Sequence, residues 1–193
     1  MQDLSLIIPA KYESESLPIF LEEIKKFNCK KIIILEEKDL DTINSIKNFT
    51  DVKIQFQKTN GYGSAIIEGI IATNTKYFCI INADGSMNPI YLENMLQQFQ
   101  NNDLDFLFAS RYEKPEGGSD DDNFITLFGN YFFTFLGNLL FRLNISDILF
   151  TYVMGKTSIF KSLDLSSKDF TLCVEMPIKA KKQGLKLNTI PSF

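Results

Sequence analysis

Asp84 is the residue best placed for chemistry. It stands in the turn Asn82-Ala83-Asp84-Gly85-Ser86, directly after the apolar run Tyr77-Phe78-Cys79-Ile80-Ile81. A buried strand ending in such a turn delivers a carboxylate to a crevice, because ligand sites of open α/β sheets lie beyond the carboxyl ends of the strands. Asn, Asp and Ser are also common turn formers, so an ordinary turn stays open at this point. Three further acids, Glu13, Glu36 and Glu37, follow two other apolar runs, 4–8 and 31–35. On one parallel sheet these acids gather along one edge, where they repel unless a cation or the donor groups of a ligand sits among them. A nucleoside supplies such donors, and a divalent metal with a diphosphate supplies the charge balance. The turn Asn60-Gly61-Tyr62-Gly63-Ser64-Ala65 falls between a strand and a helix. Either its glycines let a phosphate approach free N–H groups at the helix start, or they form a simple tight turn. It is neither a dinucleotide fingerprint, since the third glycine is missing, nor a P-loop, since it contains no Gly-Lys-Ser/Thr.

The elements that must position these residues read as alternating apolar runs and amphipathic stretches. Strands are expected at 4–8, 31–35, 52–57, 77–81, 105–110 and 185–190, and helices at about 17–27, 41–48, 64–73, 89–101 and 171–183, with a short one near 159. Strands and helices alternating at this spacing predict an α/β fold, a mostly parallel sheet covered by helices on both faces. The 52–57 run alternates apolar and polar residues, which places it near a sheet edge with one wetter face. The stretch 111–123 is rich in Gly and charge and reads as a loop beside the crevice. After it come 19 uncharged residues, 123–141, with six Phe and a Tyr. Thr126, Asn130, Thr134 and Asn138 put a polar stripe on one face of that helix, which runs from about 123 to 143. A core helix packed on the sheet, a helix in a membrane interface and a membrane span all stay open, the amphipathic forms fitting better than a span.

With 193 residues and 45% hydrophobic content the chain suits a single domain with a sizeable core. Its formal charge of −4 offers no basic field for nucleic acid. Histidine is absent, which excludes His-based triads, imidazole bases and His metal sites. Cys29, Cys79 and Cys173 are scattered among apolar residues and read as reduced core thiols, which suits a cytoplasmic protein. The start of the sequence, Met1-Gln2-Asp3, shows no signal-peptide pattern.

The motifs, taken in order, resemble those of the family-two glycosyltransferases of GT-A fold, and most of all the dolichyl- or polyprenyl-phosphate sugar synthase branch. Ile8-Pro9-Ala10-Lys11-Tyr12-Glu13 resembles the family's opening Ile/Val-Pro-x-x-Asn-Glu, with Tyr12 in place of Asn. Glu36-Glu37 falls where the family has Asp-Asp. Asn60 to Ala65 resembles Asn-x-Gly-x-Gly-x-Ala, and Asn82-Ala83-Asp84 resembles the metal motif Asp-Ala-Asp, with Asn82 for the first Asp. Ala109-Ser110-Arg111-Tyr112 is similar to Gly-Ser-Arg-Tyr, and Ile145-Ser146-Asp147 with Glu175 fits the acceptor half. The resemblance covers residues 4–193 and implies a nucleotide-sugar donor, Mg²⁺ or Mn²⁺, and a polyprenyl-phosphate acceptor met at the cytoplasmic face of a membrane. It implies a nucleotide-sugar-binding half over 1–110 and an acceptor-side half over 111–193. The donor site would draw on Pro9, Ala10, Tyr12, Glu13, Glu36, Glu37, Gly61, Gly63, Asn82, Ala83, Asp84 and Arg111. The metal would be held by Asp84 with Asn82 and Ser86, the acceptor would lie near Asp147 and Glu175, and Asp84, Asp147 and Arg111 would carry catalysis. A lipid phosphate is already anionic at neutral pH, so it can attack without a strong general base, which suits a chain without histidine. For single residues the plainer readings are a surface ion pair at Arg111, a helix cap at Asp147 and a partnered carboxylate at Glu175. For the whole chain they are a non-catalytic nucleotide-sugar-binding or scaffold domain and a membrane-associated interaction protein.

Overall fold

The computed structural model describes residues 1–113 and 124–192. Most of the Gly- and Asp-rich run expected beside the crevice lies outside them. Seven strands form one sheet: β1 (Leu4–Pro9), β2 (Lys30–Leu35), β3 (Val52–Phe56), β4 (Tyr77–Ile80), β5 (Phe106–Ser110), β6 (Val153–Lys156) and β7 (Leu187–Pro191). Their order is β3-β2-β1-β4-β6-β5-β7. All neighbouring pairs are parallel except β6, which runs antiparallel to both β4 and β5. The helices are α1 (Ser16–Ile24), α2 (Leu40–Ser45), α3 (Tyr62–Ile71), α4 (Leu92–Asn101), α5 (Phe124–Phe141), α6 (Thr157–Ser162) and α7 (Leu172–Lys182), with one 3₁₀ turn at Pro89–Tyr91 ahead of α4.

Alternation along the strands sorts the core into two layers. Leu4, Leu6 and Ile8 of β1 join Leu17, Phe20, Leu21 and Ile24 of α1 and Met95 and Phe99 of α4. Those α1 positions recur at helical spacing and bury one stripe. Ile7 faces the other way, into a layer with Ile66 and Ile70 of α3, Phe160 of α6 and Met176 of α7. Gly69 brings α3 close to the sheet, since a Cβ there would come within 2.7 Å of Ile7 Cγ2 and within 2.6 Å of Ile34 Cδ1. Every residue of β1 is buried, whereas edge strand β3 is nowhere fully covered.

The expected strands and helices recur within a few residues, but β6 is an addition. The apolar run before Met154 gave no strand signal, because the strand is four residues long and contains Gly155. That glycine is a packing requirement: a Cβ would lie 2.8 Å from the rings of both Phe78 and Phe106. Helix α5 also differs from an ordinary surface helix, because its polar stripe faces the protein. Asn138 donates from Nδ2 to Ile145 O (2.7 Å) and accepts from Ile145 N (3.1 Å), Thr134 Oγ1 accepts from Ile148 N (3.2 Å), and Asn130 Nδ2 donates to Tyr112 Oη (2.6 Å). Phe128, Phe132, Phe133, Phe135, Leu139 and Leu140 point outward. No helix of the described residues is long and apolar enough to cross a membrane.

Candidate active site

The carboxyl ends of β1, β2 and β4 open into one cavity of about 360 Å³. Pro9, Ala10, Lys11, Glu13, Glu36, Gln57, Gly61, Tyr62, Ala65, Asn82, Ala83, Asp84 and Phe170 line it. Of the donor-site residues expected from the sequence, it gathers Pro9, Ala10, Glu13, Glu36, Gly61, Asn82, Ala83 and Asp84. Tyr12, Glu37, Gly63, Ser86, Arg111, Asp147 and Glu175 lie outside its lining.

The first wall is the loop after β1. Ala10 N donates to Ile34 O (3.0 Å), which carries the strand's pairing into the turn. Tyr12 sits at φ 59°, exposed, and its backbone N–H donates to Asp39 Oδ2 (2.7 Å), while Glu13 N–H donates to Thr42 Oγ1 (3.0 Å). Buried Asp39 also accepts from Thr42 N at the start of α2, so one carboxylate caps a helix and fixes the loop. The Glu13 carboxylate accepts from Ser16 Oγ.

Glu36 presents the acid of β2. It is 8% exposed, while its neighbour Glu37 points to solvent. Lys11 Nζ lies 2.7 Å from Glu36 Oε1 and Lys38 Nζ 2.9 Å from Oε2. The two ammoniums hold the Glu36 carboxyl below the usual carboxylate range, and the carboxylate in turn raises the pKa of both lysines. Repulsion along the acidic edge is thus met partly by the chain's own cations. Apart from its ion pair with Lys38, buried Glu36 Oε2 has no hydrogen-bond partner among the described residues, which leaves a lone pair to accept from a ligand hydroxyl or N–H.

On the third wall, Gln57 Nε2 donates to the carbonyls of Thr59 and Gly61, and Glu68 of α3 accepts from the N–H groups of Lys58 and Thr59. The glycines of this turn make room for protein backbone. Gly61 sits at φ +118°, and a Cβ on it would collide with the carbonyl of Lys168; a Cβ on Gly63 would collide with that of Ser167 and lie 2.6 Å from Asp169 O. Ser64 N donates to Lys168 O (3.2 Å), so a protein carbonyl occupies a donor at the start of α3 that a phosphate could otherwise use. Segment 166–169 is held there by Glu175, whose carboxylate accepts from Ser166 N (3.1 Å) and Ser167 N (2.8 Å) and pairs with Lys179 (2.8 Å). Burial pushes the Glu175 carboxyl up, but Lys179 and these donors outweigh it and bring the pKa down to about 2. The segment delivers Phe170, whose ring stacks on Tyr62 at 4.5 Å in the cavity wall.

The turn after β4 closes the cavity. Tyr62 Oη donates to Asn82 Oδ1 (2.8 Å) and lies 2.6 Å from Thr151 Oγ1. Burial pushes the Tyr62 phenol up to about 12, so it remains a neutral donor. Asp84 Oδ1 accepts from Ser86 N (3.0 Å) and Ser86 Oγ (2.5 Å), while no described residue bonds Oδ2. Ser86 thus orients the carboxylate, and Asn82 Oδ1 is already engaged. No group of three or more acidic, Cys or His side chains able to hold a metal occurs among the described residues. This donor set fits a cation held by Asp84 together with ligand phosphates and water, as Mg²⁺ usually is, and does not make a closed all-protein cage.

Arg111 and Asp147 form a separate centre. Arg111 Nε donates to Asp147 Oδ2 (2.8 Å), Nη2 to Oδ1 (3.2 Å) and the backbone N to Oδ2 (3.3 Å), with Asp147 fully buried. The guanidinium lies over Phe150 (4.8 Å) and beside Tyr112 (5.2 Å). Next to it runs a groove of about 450 Å³ lined by Tyr112, Glu113, Tyr131, Thr134, Phe135, Asn138, Asn144, Ile145, Ser146 and Thr189. Sequence reasoning missed Asp39, Gln57, Tyr62, Glu68, Thr151 and Phe170. Only Asp39 carried a local signal, as a helix-capping Asp before 40–45.

An α/β sheet with one reversed strand, and a carboxylate-lined cavity at the carboxyl ends of its parallel strands, defines a GT-A type of architecture. Residues 5–164 match the family model described as Glycosyl transferase family 2, and the chain belongs to that family. It is 28% identical over 204 residues to an uncharacterized protein of Methanocaldococcus jannaschii, covering 98% of this chain and 80% of that protein. An uncharacterized glycosyltransferase of Mycobacterium tuberculosis is 27% identical over 85 residues, 44% of this chain and 38% of the relative. Among solved structures, glucosyl-3-phosphoglycerate synthase of Mycobacterium tuberculosis, in complex with Mn²⁺, UDP and glucosyl-3-phosphoglycerate, superposes with a TM-score of 0.73 at 11% identity, over 97% of this chain and 69% of that one. TarS of S. aureus in complex with UDP gives a TM-score of 0.67 at 13% identity, and this chain spans 59% of it.

Proposed function

We propose that the chain is a glycosyltransferase that moves a sugar from a nucleotide-sugar donor, held in the Glu36–Asp84 cavity, to a polyprenyl-phosphate acceptor at the cytoplasmic face of a membrane. The observation that carries this reading is the convergence of Glu13, Glu36 and Asp84 on one cavity in a chain of this family. UDP in the complexes of TarS and of glucosyl-3-phosphoglycerate synthase supports a nucleotide donor. Glu36 Oε2 and the Glu13 carboxylate would accept from the nucleoside, and the Tyr62–Phe170 pair offers an apolar wall. Mg²⁺ or Mn²⁺, held by Asp84 with the diphosphate, would neutralise the departing nucleoside diphosphate. Ser86 orients Asp84 for that task. Asn82 is tied to Tyr62 and sets the shape of the turn. Residues 1–110 would supply most of the donor side and 111–193 the acceptor side. There Asp147 fixes the Arg111 fork for an approaching phosphate group, and Glu175 acts through the segment it holds. An already ionised phosphate oxygen would attack the anomeric carbon, so the site needs no strong base.

Calorimetry with UDP, with and without Mn²⁺, tests the donor side, and transfer to a polyprenyl phosphate tests the whole reaction. Mn²⁺ is expected to tighten UDP binding at least ~10-fold, and Asp84→Ala to remove that gain and lower turnover by more than ~100-fold, as loss of a metal that stabilises the leaving group does. An Asp84→Ala variant that retains transfer would sink the reading. Engagement of Asn82 Oδ1 by Tyr62 favours one rival, a non-catalytic nucleotide-sugar-binding domain. Metal-independent UDP binding without turnover would establish it.

A further inference from the structure

Helix α5 is amphipathic in the unusual sense, with its polar stripe turned in and its apolar face turned out. Asn130, Thr134 and Asn138 hydrogen-bond to Tyr112, Ile148 and Ile145, so rolling the helix to hide its phenylalanines would strand those groups. Phe128, Phe132, Phe133, Phe135, Leu139 and Leu140 are left exposed, Leu140 by 67% and Phe128 by 66%. At 100° per residue these six cover an arc of about 160°, wider than the seam a partner helix would fill. Stacked or edge-on rings at Phe128–Phe132 and Phe132–Phe133 make the face continuous. The helix carries no charged residue. Basic residues gather where it ends: Arg142 follows it, and Lys182 of the adjacent α7 holds its ammonium 5.7 Å from the Phe141 ring, with Lys181 beside it. No described acid pairs with Lys181, Lys182 or Arg142, whereas Lys179 is engaged by Glu175.

We infer that the outward face of α5 is a docking surface for an anionic lipid bilayer, its Phe and Leu side chains entering the headgroup boundary while Arg142, Lys181 and Lys182 meet lipid phosphates. A broad apolar arc without acids and with a basic rim matches an interfacial helix lying in the membrane plane. The overall charge of −4 would oppose approach to such a surface, so attraction must come from this local cluster. The inference stands on α5 and α7 alone and does not depend on the transferase reading.

Flotation with phosphatidylcholine vesicles, with and without phosphatidylglycerol, tests it on the whole chain without nucleotide. The protein is expected to float with the anionic vesicles and far less with the neutral ones. Lys181→Glu with Lys182→Glu should weaken partitioning by at least ~10-fold, since each basic residue near an anionic surface is worth roughly fivefold. Phe132→Ser with Leu139→Ser should weaken it by roughly a hundredfold. Circular dichroism and the thermal midpoint verify folding, and the lysine pair, at the surface, still decides the matter if the serine pair fails to fold. Absence of flotation, equal flotation with neutral vesicles, or flotation unchanged by either pair overturns the inference. So does a dimer by light scattering that Phe132→Ser dissociates, which would make a second copy the occupant.

Discussion

Glu175 offers a direct test of how the cavity wall is built. Replacing it with Gln keeps size and shape but removes the charge that holds Ser166 N, Ser167 N and Lys179. Its pKa of about 2 lies well below the reference value of 4.5, so the ionised form is stabilised by folding. At about 1.36 kcal/mol per unit, a shift of that size corresponds to roughly 3 kcal/mol as an upper bound. Water still reaches the carboxylate and screens it, so about 1–2 kcal/mol is the realistic contribution. Because the folded-state pKa is depressed, that stability is fully present above pH 4.5 and is lost as pH falls from there toward 2. Urea unfolding of wild type and Glu175→Gln across pH 7 to 2 reads this directly. The wild type should exceed the variant by about 1–2 kcal/mol at pH 7, and the gap should close below pH 4.5. A gap that persists unchanged to pH 2, or no gap at pH 7, would refute the assignment of Glu175 as the anchor of segment 166–169.

Two further substitutions probe the same architecture. Asp147→Ala removes the fully buried carboxylate that holds the Arg111 guanidinium in a fork and should cost at least about 1 kcal/mol in urea unfolding, part of which a second change, Arg111→Met, should restore. Gly63→Ala drives a Cβ into the carbonyls of Ser167 and Asp169 and should cost about 1–3 kcal/mol, with weaker UDP binding because Phe170 moves off Tyr62; equal stability and affinity in that variant would show that segment 167–169 packs elsewhere in solution.

How much of this could be read beforehand follows from the range of each interaction. The parallel strands were legible because burial on both faces leaves continuous apolar runs, as in β1 and β2, and edge strand β3 was legible from its alternation. Strand β6 was not, because its place between β4 and β5 rests on partners about 45 to 80 residues away and its Gly155 mutes the local pattern. The spacing in α5 revealed a polar stripe but not the side it faces, since periodicity is blind to which face meets the protein. Which of two neighbouring acids enters the cavity is likewise a matter of direction: the chain turns Glu36 inward and Glu37 outward. The glycines of the 60–65 turn were visible, but their reason, the backbone at 167–169, is about a hundred residues distant.

That distance has a structural consequence. The cavity begins at the ends of β1, β2 and β4, yet its wall is completed by Phe170 and its glycine turn is packed by the segment that Glu175 holds. Tyr62 ties the two regions together, stacking on Phe170 while its hydroxyl reaches Asn82 and Thr151. Arg111 and Asp147 make a second tie, joining the end of β5 to the stretch that leads into β6. The amide at position 82, the sharpest departure from a paired-acid metal motif, sits at the meeting point of the first tie. There an Asp would set a second negative charge near Asp84 and beside a phenol that burial keeps neutral. Asn keeps the acceptor for Tyr62 without that charge, which leaves Asp84 as the carboxylate of this turn.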